Sequence, residues 1–272
     1  MVKNSNPLLR IFCYLPTPRI WKSTITARFL DINIELRGTK PNEVKDWLWD
    51  FNARPLTDED KTRLADKTTP GKTGFSIKLY KTDAFLATQP YGTIPAAFSP
   101  DGKIGIFESN SIMRLVARLK PKNHTLYGST PYESSRIDGF LDASLIFARS
   151  SQKYLLSINN NSVNKTIRNE AKEAYISYMT GIENALRENK KNGYITSKNI
   201  TLADICFFCE FSLFYREIIP LNNPKNGINS IINEIGPKPF SLSIQHFKKL
   251  RKHAYFKIDA KKYLGGIEKK LT

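Results

Sequence analysis

The first 36 residues alternate between strand and helix patterns, and this order restricts the fold more than any other feature of the chain. Residues 8–14, LLRIFCY, are a short apolar run that ends at Pro16, which indicates a strand. Residues 19–30 repeat apolar side chains at helical spacing, and residues 31–36, DINIEL, alternate as a second strand. A strand, a helix and a strand in this order favour a parallel pair, so we predict that the chain opens with an α/β sheet.

Residues 93–119 supply the rest of the predicted sheet. Residues 93–98 favour a strand, the SPDG sequence at 99–102 predicts a hairpin turn, and KIGIFE after it predicts the returning strand. Ser109 or Asn110 then caps a helix. Its predicted apolar face consists of Ile112, Leu115, Val116 and Leu119.

Residues 38–88 are polar and long for a connection, so they indicate an insertion or a lid. Within them, residues 40–53 predict a helix with the apolar residues Val44, Trp47, Leu48 and Phe51. Thr57, followed by acidic residues, predicts the cap of a short helix, and Gly71 and Gly74 indicate a loop. Trp47 and Trp49 either line a hydrophobic pocket or pack the insertion onto its domain.

The second half of the chain has helical periodicity only. It predicts long helices at residues 132–158, 164–189 and 201–218, and two shorter helices after residue 222. The chain is therefore predicted to contain an α/β domain over residues 1–120, with the insertion at about 38–88, and an all-helical domain over residues 126–272.

Composition narrows the class of protein. The net charge of +17 would suit a polyanion ligand, but the cations are spread along the chain without a recognition motif, so nucleic acid is not the expected partner. Three cysteines do not form a disulfide framework, and no apolar run is long enough for a membrane span. We expect a cytoplasmic protein that does not enter a membrane.

Two motifs in the helical half are predicted to be structural. Thr201 and Asp204 in the sequence TLAD have the form of a capping box at a helix start. Cys206 and Cys209 have CxxC spacing, but they lie in an apolar helix without a second cysteine pair or a histidine cluster. They are predicted to be buried core thiols, and no metal site is expected.

Three segments together resemble the cytosolic glutathione transferases: GTIPA at residues 92–96, FESNSI at 107–112 and TLAD at 201–204. The run YLPTPRIWK at residues 14–22 is most similar to the transferase-like domain of the translation elongation factor one gamma subunit and to its bacterial relatives. The resemblance implies a thioredoxin-like N-terminal α/β domain in the order β-α-β, insertion, β-β-α, followed by an all-α C-terminal domain. It also implies glutathione as co-substrate and a homodimer.

The resemblance further implies a glutathione site. The peptide bond between Ile94 and Pro95 would be cis, and the backbone of Ile94 would pair with the cysteinyl part of glutathione like an added strand. Ser109, at a helix start, would bind the carboxylate of the γ-glutamyl group, and Glu108 would bind its ammonium group.

Transferase activity requires a group that stabilises the thiolate of glutathione at the end of the first strand. Thr17 is the first candidate and Tyr14 the second, whereas Cys13 is expected to face the core. Arg19 either adds positive charge near the sulfur or only begins the helix. The spacing of these residues departs from both the serine-type and the tyrosine-type pattern. Transfer of glutathione to an unidentified electrophile or disulfide and a non-catalytic interaction module therefore both stay open.

Overall fold

The computed structural model describes residues 6–70, 78–120, 124–191, 193–221 and 229–269. The chain divides into two compact units, Met1–Pro121 and Lys122–Thr272. The loop predicted at Gly71 and Gly74 lies outside the described residues. Among the residues that are described, none of the helices combines the length and the apolar character that a bilayer crossing requires.

The first unit contains both strands and helices. In chain order its elements are β1 (Leu9–Tyr14), α1 (Pro18–Leu30), β2 (Ile34–Thr39), β3 (Trp47–Trp49), β4 (Arg54–Pro55), α2 (Asp58–Arg63), β5 (Thr69–Pro70), β6 (Lys78–Lys81), α3 (Asp83–Thr88), β7 (Ala96–Phe98), β8 (Gly105–Phe107) and α4 (Ser109–Arg118).

The main sheet has the strand order β2-β1-β7-β8. β1 is parallel to β2 and antiparallel to β7, and β7 is antiparallel to β8. Side chains of β1 alternate between the two faces of the sheet. Ile11 and Cys13 pack on one face with Ile20 of α1 and Val116 of α4, whereas Phe12 packs on the other face with residues of the insertion. The α/β fold predicted from the strand and helix order is confirmed.

The insertion forms a second sheet with the order β4-β3-β6-β5. The helix predicted over residues 40–53 is wrong: a 3-10 turn at Val44–Asp46 leads into β3 instead. Trp47 and Trp49 both contact Phe12, with ring centroids 6.1 and 5.6 Å away. Residues two apart share one face of a strand but lie on opposite faces of a helix, so only a strand permits both contacts. Both tryptophans therefore pack the insertion onto the main sheet.

The short helix predicted after Thr57 is present as α2, and Asp60 in it predicts a pH dependence. The hydrogen bond from Arg54, followed by that from the N–H of Thr57, holds the pKa of Asp60 well below its usual value. Since the pKa is lower in the folded state, these contacts stabilise the fold above about pH 4, and the stabilisation is lost as the pH falls further. We expect Asp60→Asn to lower the Tm at about pH 7 and to flatten the fall of the Tm between about pH 4 and pH 2. Calorimetry over this range, with the exposed Asp58→Asn as control, measures the effect. A curve identical to that of the wild type would contradict it.

The second unit is helical in its described residues. Its elements are α5 (Pro131–Asn159), α6 (Lys165–Glu188), α7 (Leu202–Phe214), α8 (Ile218–Leu221), α9 (Ile231–Ile235), α10 (Ser241–Lys252) and α11 (Ala254–Glu268). The three long helices and the all-α character are confirmed. The tail contains α9 in addition to α10 and α11, because Ser230 caps a further short turn whose first residue, Ile231, is fully buried.

Helix α7 runs through the core of this unit, and all of its side chains are buried. Cys206 and Cys209 are each 1% exposed, and the Cys206 thiol lies 3.2 Å from the hydroxyl of Ser144. The prediction of buried core thiols is confirmed.

The Asp204 carboxylate joins the start of α7 to two other segments. It accepts hydrogen bonds from the N–H of Thr201 (2.8 Å) and the N–H of Ile195 (3.0 Å), and it contacts His246 Nε2 at 2.8 Å. We expect Asp204→Ala to destabilise the protein by about 2–4 kcal/mol, because several buried polar groups lose their acceptor. Thermal denaturation checks this, with the exposed Glu173→Ala as control. Glutathione affinity of the folded protein should not change; loss of affinity at an unchanged Tm would contradict the structural role.

Candidate functional site

One end of the main sheet brings the predicted site segments together. The observed register pairs Phe12 of β1 with Ala96 of β7, and Ala96 with Phe107 of β8. The end of β1, the start of β7 and the end of β8 therefore lie at the same edge. The Ile94–Pro95 segment directly precedes β7 there, and its peptide bond is cis. The first unit has two core clusters, one with Ile11 and Cys13 and one with Phe12, and the side chain of Ile94 packs against both.

Thr17 occupies the N-cap position of α1, directly after the end of β1. Its side chain makes no capping hydrogen bond, and its hydroxyl is buried without a hydrogen-bond partner among the described residues. Only 1% of the residue is exposed. A buried polar group without a partner costs roughly 1–3 kcal/mol, so this hydroxyl is an unused donor at the site edge.

The other candidates near the end of β1 differ in their surroundings. Tyr14 is half-buried and packs against both core clusters of the unit. Burial raises the pKa of Cys13 to about 12, outweighing the backbone hydrogen bond at Tyr14 and the nearby positive charge of Arg19. Cys13 is therefore a protonated core thiol, as expected from its place in β1, and is not a nucleophile near neutral pH. Arg19 is half-buried in the first turn of α1.

Glu108 and Ser109 join β8 to α4. Glu108 has φ 66° and ψ 123°, a conformation that costs a non-glycine residue about 1–3 kcal/mol and is concentrated at functional sites. Its side chain is exposed, whereas Ser109 is buried. A buried hydroxyl at the start of a ten-residue helix lies where the helix dipole favours a negative charge.

Lys22 is a candidate site residue that the sequence interpretation missed. It is fully buried in α1, and its ammonium group donates to the hydroxyl of Ser109 (3.2 Å) and to the side-chain oxygen of Asn110 (2.7 Å). Helical spacing carries a signal for it, because Lys22 shares a helix face with Ile25 and Phe29. The contact places a buried positive charge beside the start of α4.

The described residues contain no group of three or more His, Cys, Asp or Glu side chains placed to bind a metal ion. The polar groups at the sheet edge are hydroxyls, an ammonium group, an exposed carboxylate and backbone amides. This set is suited to binding a zwitterionic ligand through hydrogen bonds and charge.

Comparison with solved structures shows the same fold in glutathione transferases. The delta-class enzyme of Nilaparvata lugens aligns with a TM-score of 0.61 over 97% of this chain and 98% of its own, at 13% identity. The transferase URE2P5 of Phanerochaete chrysosporium gives a TM-score of 0.63 over 98% and 99%, at 15% identity. A transferase of Methylobacillus flagellatus, solved with glutathione bound, gives 0.61 over 93% and 98%, at 12% identity.

Curated sequences give the closer relation. Glutathione S-transferase P 1 of Bufo bufo is 32% identical over 161 residues, which cover 57% of this chain and 69% of that protein. Together with the fold, this similarity shows that the chain belongs to the glutathione transferase superfamily.

Elongation factor 1-gamma proteins are among the relatives within this superfamily. The protein of Artemia salina is 32% identical over 205 residues, which cover 71% of this chain and 45% of that protein. A rice elongation factor 1-gamma is 31% identical over 143 residues, or 52% of this chain and 33% of its own. The chain thus spans one third to just under half of these relatives. No family model matches it.

Proposed function

We propose that the protein binds glutathione at the edge of the main sheet and activates its thiol for attack on an electrophilic or disulfide co-substrate. The observation that carries the proposal is the contact between Ser109 and Lys22. The hydroxyl of Ser109 lies at a helix start and 3.2 Å from the buried ammonium group of Lys22, an arrangement that favours binding of a carboxylate. Glutathione supplies a carboxylate in its γ-glutamyl group.

The other residues of the edge fit the remaining parts of glutathione. Ile94 lies outside the register of β7 with β1, so its backbone can pair with the cysteinyl part, and Pro95 fixes the turn. The exposed carboxylate of Glu108 takes the ammonium group. The unused hydroxyl of Thr17 donates to the sulfur and stabilises the thiolate, helped by the start of α1 and by the charge of Arg19.

The names of two relatives support this proposal. The Bufo bufo protein is a glutathione S-transferase, and the Methylobacillus flagellatus structure contains glutathione. As the resemblance implies, we also propose a cytoplasmic homodimer.

The test is calorimetric titration of glutathione into the wild type and into Ser109→Ala. We expect wild-type binding and a loss of at least about tenfold in affinity for Ser109→Ala, because the carboxylate loses a charge-assisted hydrogen bond. Ser111→Ala makes the same change two residues further along α4 and should bind like the wild type. Absence of wild-type binding at millimolar glutathione would refute the proposal.

A second candidate function is a non-catalytic interaction module of the elongation factor 1-gamma type. The similarity to the Artemia salina elongation factor over 71% of this chain favours it. A shared fold does not decide between the two functions. Absence of glutathione binding would support the module, and binding with thiol activation would support the enzyme.

A further inference from the structure

A groove between α10 and α11 is lined by cationic residues. Lys248, Arg251 and Lys252 belong to α10, and Lys257 and Lys261 belong to α11. These five side chains surround a cavity of about 490 Å³, which we call the α10–α11 groove. The cavity belongs to the second unit, whereas the residues of the glutathione proposal all belong to the first.

Four of the five cations have no acidic partner in the part of the chain that the structure describes. Arg251 forms a two-pronged ion pair with Glu268, including an Nη2–Oε2 contact of 2.7 Å. No carboxylate within the described residues lies at ion-pair distance from the other four, Lys248, Lys252, Lys257 and Lys261, all of which are exposed. Elsewhere in the unit lysines do find such partners, as Lys153 does with Glu170 at 2.7 Å.

The sequence around the groove concentrates this charge. Residues 245–269 contain eight lysine or arginine residues and two acidic ones. Like charges around one cavity repel each other, and a bound anion removes that repulsion. The groove therefore carries the charge that attracts a ligand with several negative charges.

The spacing of the lysines favours a chain of charges over a single anion. Lys248 and Lys252 are one helical turn apart, as are Lys257 and Lys261, which gives two rows with cations about 6 Å apart along each axis. A phosphodiester backbone, with one charge per nucleotide, can contact both rows.

A membrane surface fits the groove less well. An interfacial helix inserts its apolar face into the lipid, but the apolar face of α11, formed by Phe256, Ala260 and Leu264, is buried in the protein core. We therefore propose that the α10–α11 groove binds the phosphodiester backbone of a nucleic acid strand. This site is independent of glutathione binding, and it is the packing of α10 against α11 that brings these charges around one cavity.

The test is the fluorescence anisotropy of labelled single-stranded RNA and DNA of one sequence, titrated with the full chain over a salt series. Four phosphate contacts predict that log K falls against log salt with a slope of roughly −3. The double variant Lys252→Gln/Lys257→Gln should reduce this slope by roughly 1.4 and weaken binding several-fold. The control, Lys165→Gln/Lys198→Gln, makes the same charge change at exposed lysines of the same unit and should bind like the wild type.

The outcomes decide the proposal without reference to glutathione. If Lys252→Gln/Lys257→Gln loses the same fraction of its affinity for RNA and for DNA, the result supports contacts to the phosphodiester backbone. A larger loss of affinity for RNA supports these contacts together with contacts to the 2′-hydroxyl. Absence of binding to RNA and DNA at low salt overturns the proposal. An equal loss of affinity in the groove variant and in the control variant also overturns it, because binding would then follow net charge alone. Groove-dependent binding to phosphatidylserine vesicles without binding to either strand also overturns it. Lys252→Arg/Lys257→Arg keeps the charge and should bind like the wild type. This result would show that the glutamine variant binds weakly because it lost charge and not because it lost its fold.

Discussion

Replacing Thr17 with valine should reduce glutathione conjugation by about 10²- to 10³-fold while leaving the stability of the free protein unchanged or slightly higher. Valine has nearly the shape of threonine, so the substitution removes the hydroxyl and little else. That hydroxyl makes no hydrogen bond to any residue that the structure describes, so its loss removes no hydrogen bond among them. With glutathione bound, the thiolate would lose its donor, and the pKa of the bound thiol should rise.

The measurement is the ultraviolet absorbance of the bound thiolate against pH, with the rate of attack on an activated aryl halide. Thr26→Val is the matched control, because Thr26 lies in the same helix and its hydroxyl donates to the carbonyl of Lys22 at 2.7 Å. The control should lower the Tm and leave the pKa of the thiol in place. If Thr17→Val behaves like the wild type, Thr17 is not the activating residue and Tyr14→Phe becomes the test. A merely structural cap at Thr17 would instead lower the Tm.

Replacing Lys22 with methionine should weaken glutathione binding by at least about tenfold, although Lys22 is buried and does not reach the surface. The ammonium group donates to the oxygen of Ser109, so the Ser109 proton is left to point toward a ligand. Its charge in a poorly solvated position also favours a carboxylate beside Ser109. Methionine keeps the length of the side chain and removes both the donor and the charge.

A structural role and a binding role predict different results for this variant. We expect the preference for glutathione over its γ-glutamyl α-carboxamide analogue, measured by calorimetry, to be large in the wild type and small in Lys22→Met. Lys120→Met is the matched control, because Lys120 donates to the carbonyl of Leu30 at the opposite end of α1 and carries the same charge. A lowered Tm with an unchanged preference would show that Lys22 only holds α1 to α4. Lys22→Arg should keep the preference for the carboxylate.

The strand and helix order could be predicted because its signals are local. The parallel pair of β1 and β2 follows from period-two and helical patterns within 30 residues, and the caps at Thr57 and Thr201 follow from a polar residue with an acid three positions later. The insertion could not be predicted in the same way. Whether Trp47–Trp49 is a helix or a strand depends on Phe12, which lies far away in the sequence.

The site was predictable in part for the same reason. The motifs around Ile94, Glu108 and Ser109 are short, and the sequence places them beside a helix start. The proposed roles of Lys22 and of the Thr17 hydroxyl depend on which groups are buried and on which groups they contact. A sequence does not specify either of these. The sequence of α1 does not show whether Lys22 points to solvent or contacts Ser109, which lies 87 residues further along the chain.

The sequence by itself determined the fold class, the helical second half and the segments that meet at the sheet edge, because periodicity, caps and turns act over a few residues. Only the tertiary structure decided which polar groups are buried together and which charges share a cavity. The interaction of Lys22 with Ser109 and the repulsion among the lysines of the α10–α11 groove depend on distances that packing sets. The reason is that the energy of a charge interaction varies with the separation of the charges and with the surrounding solvent.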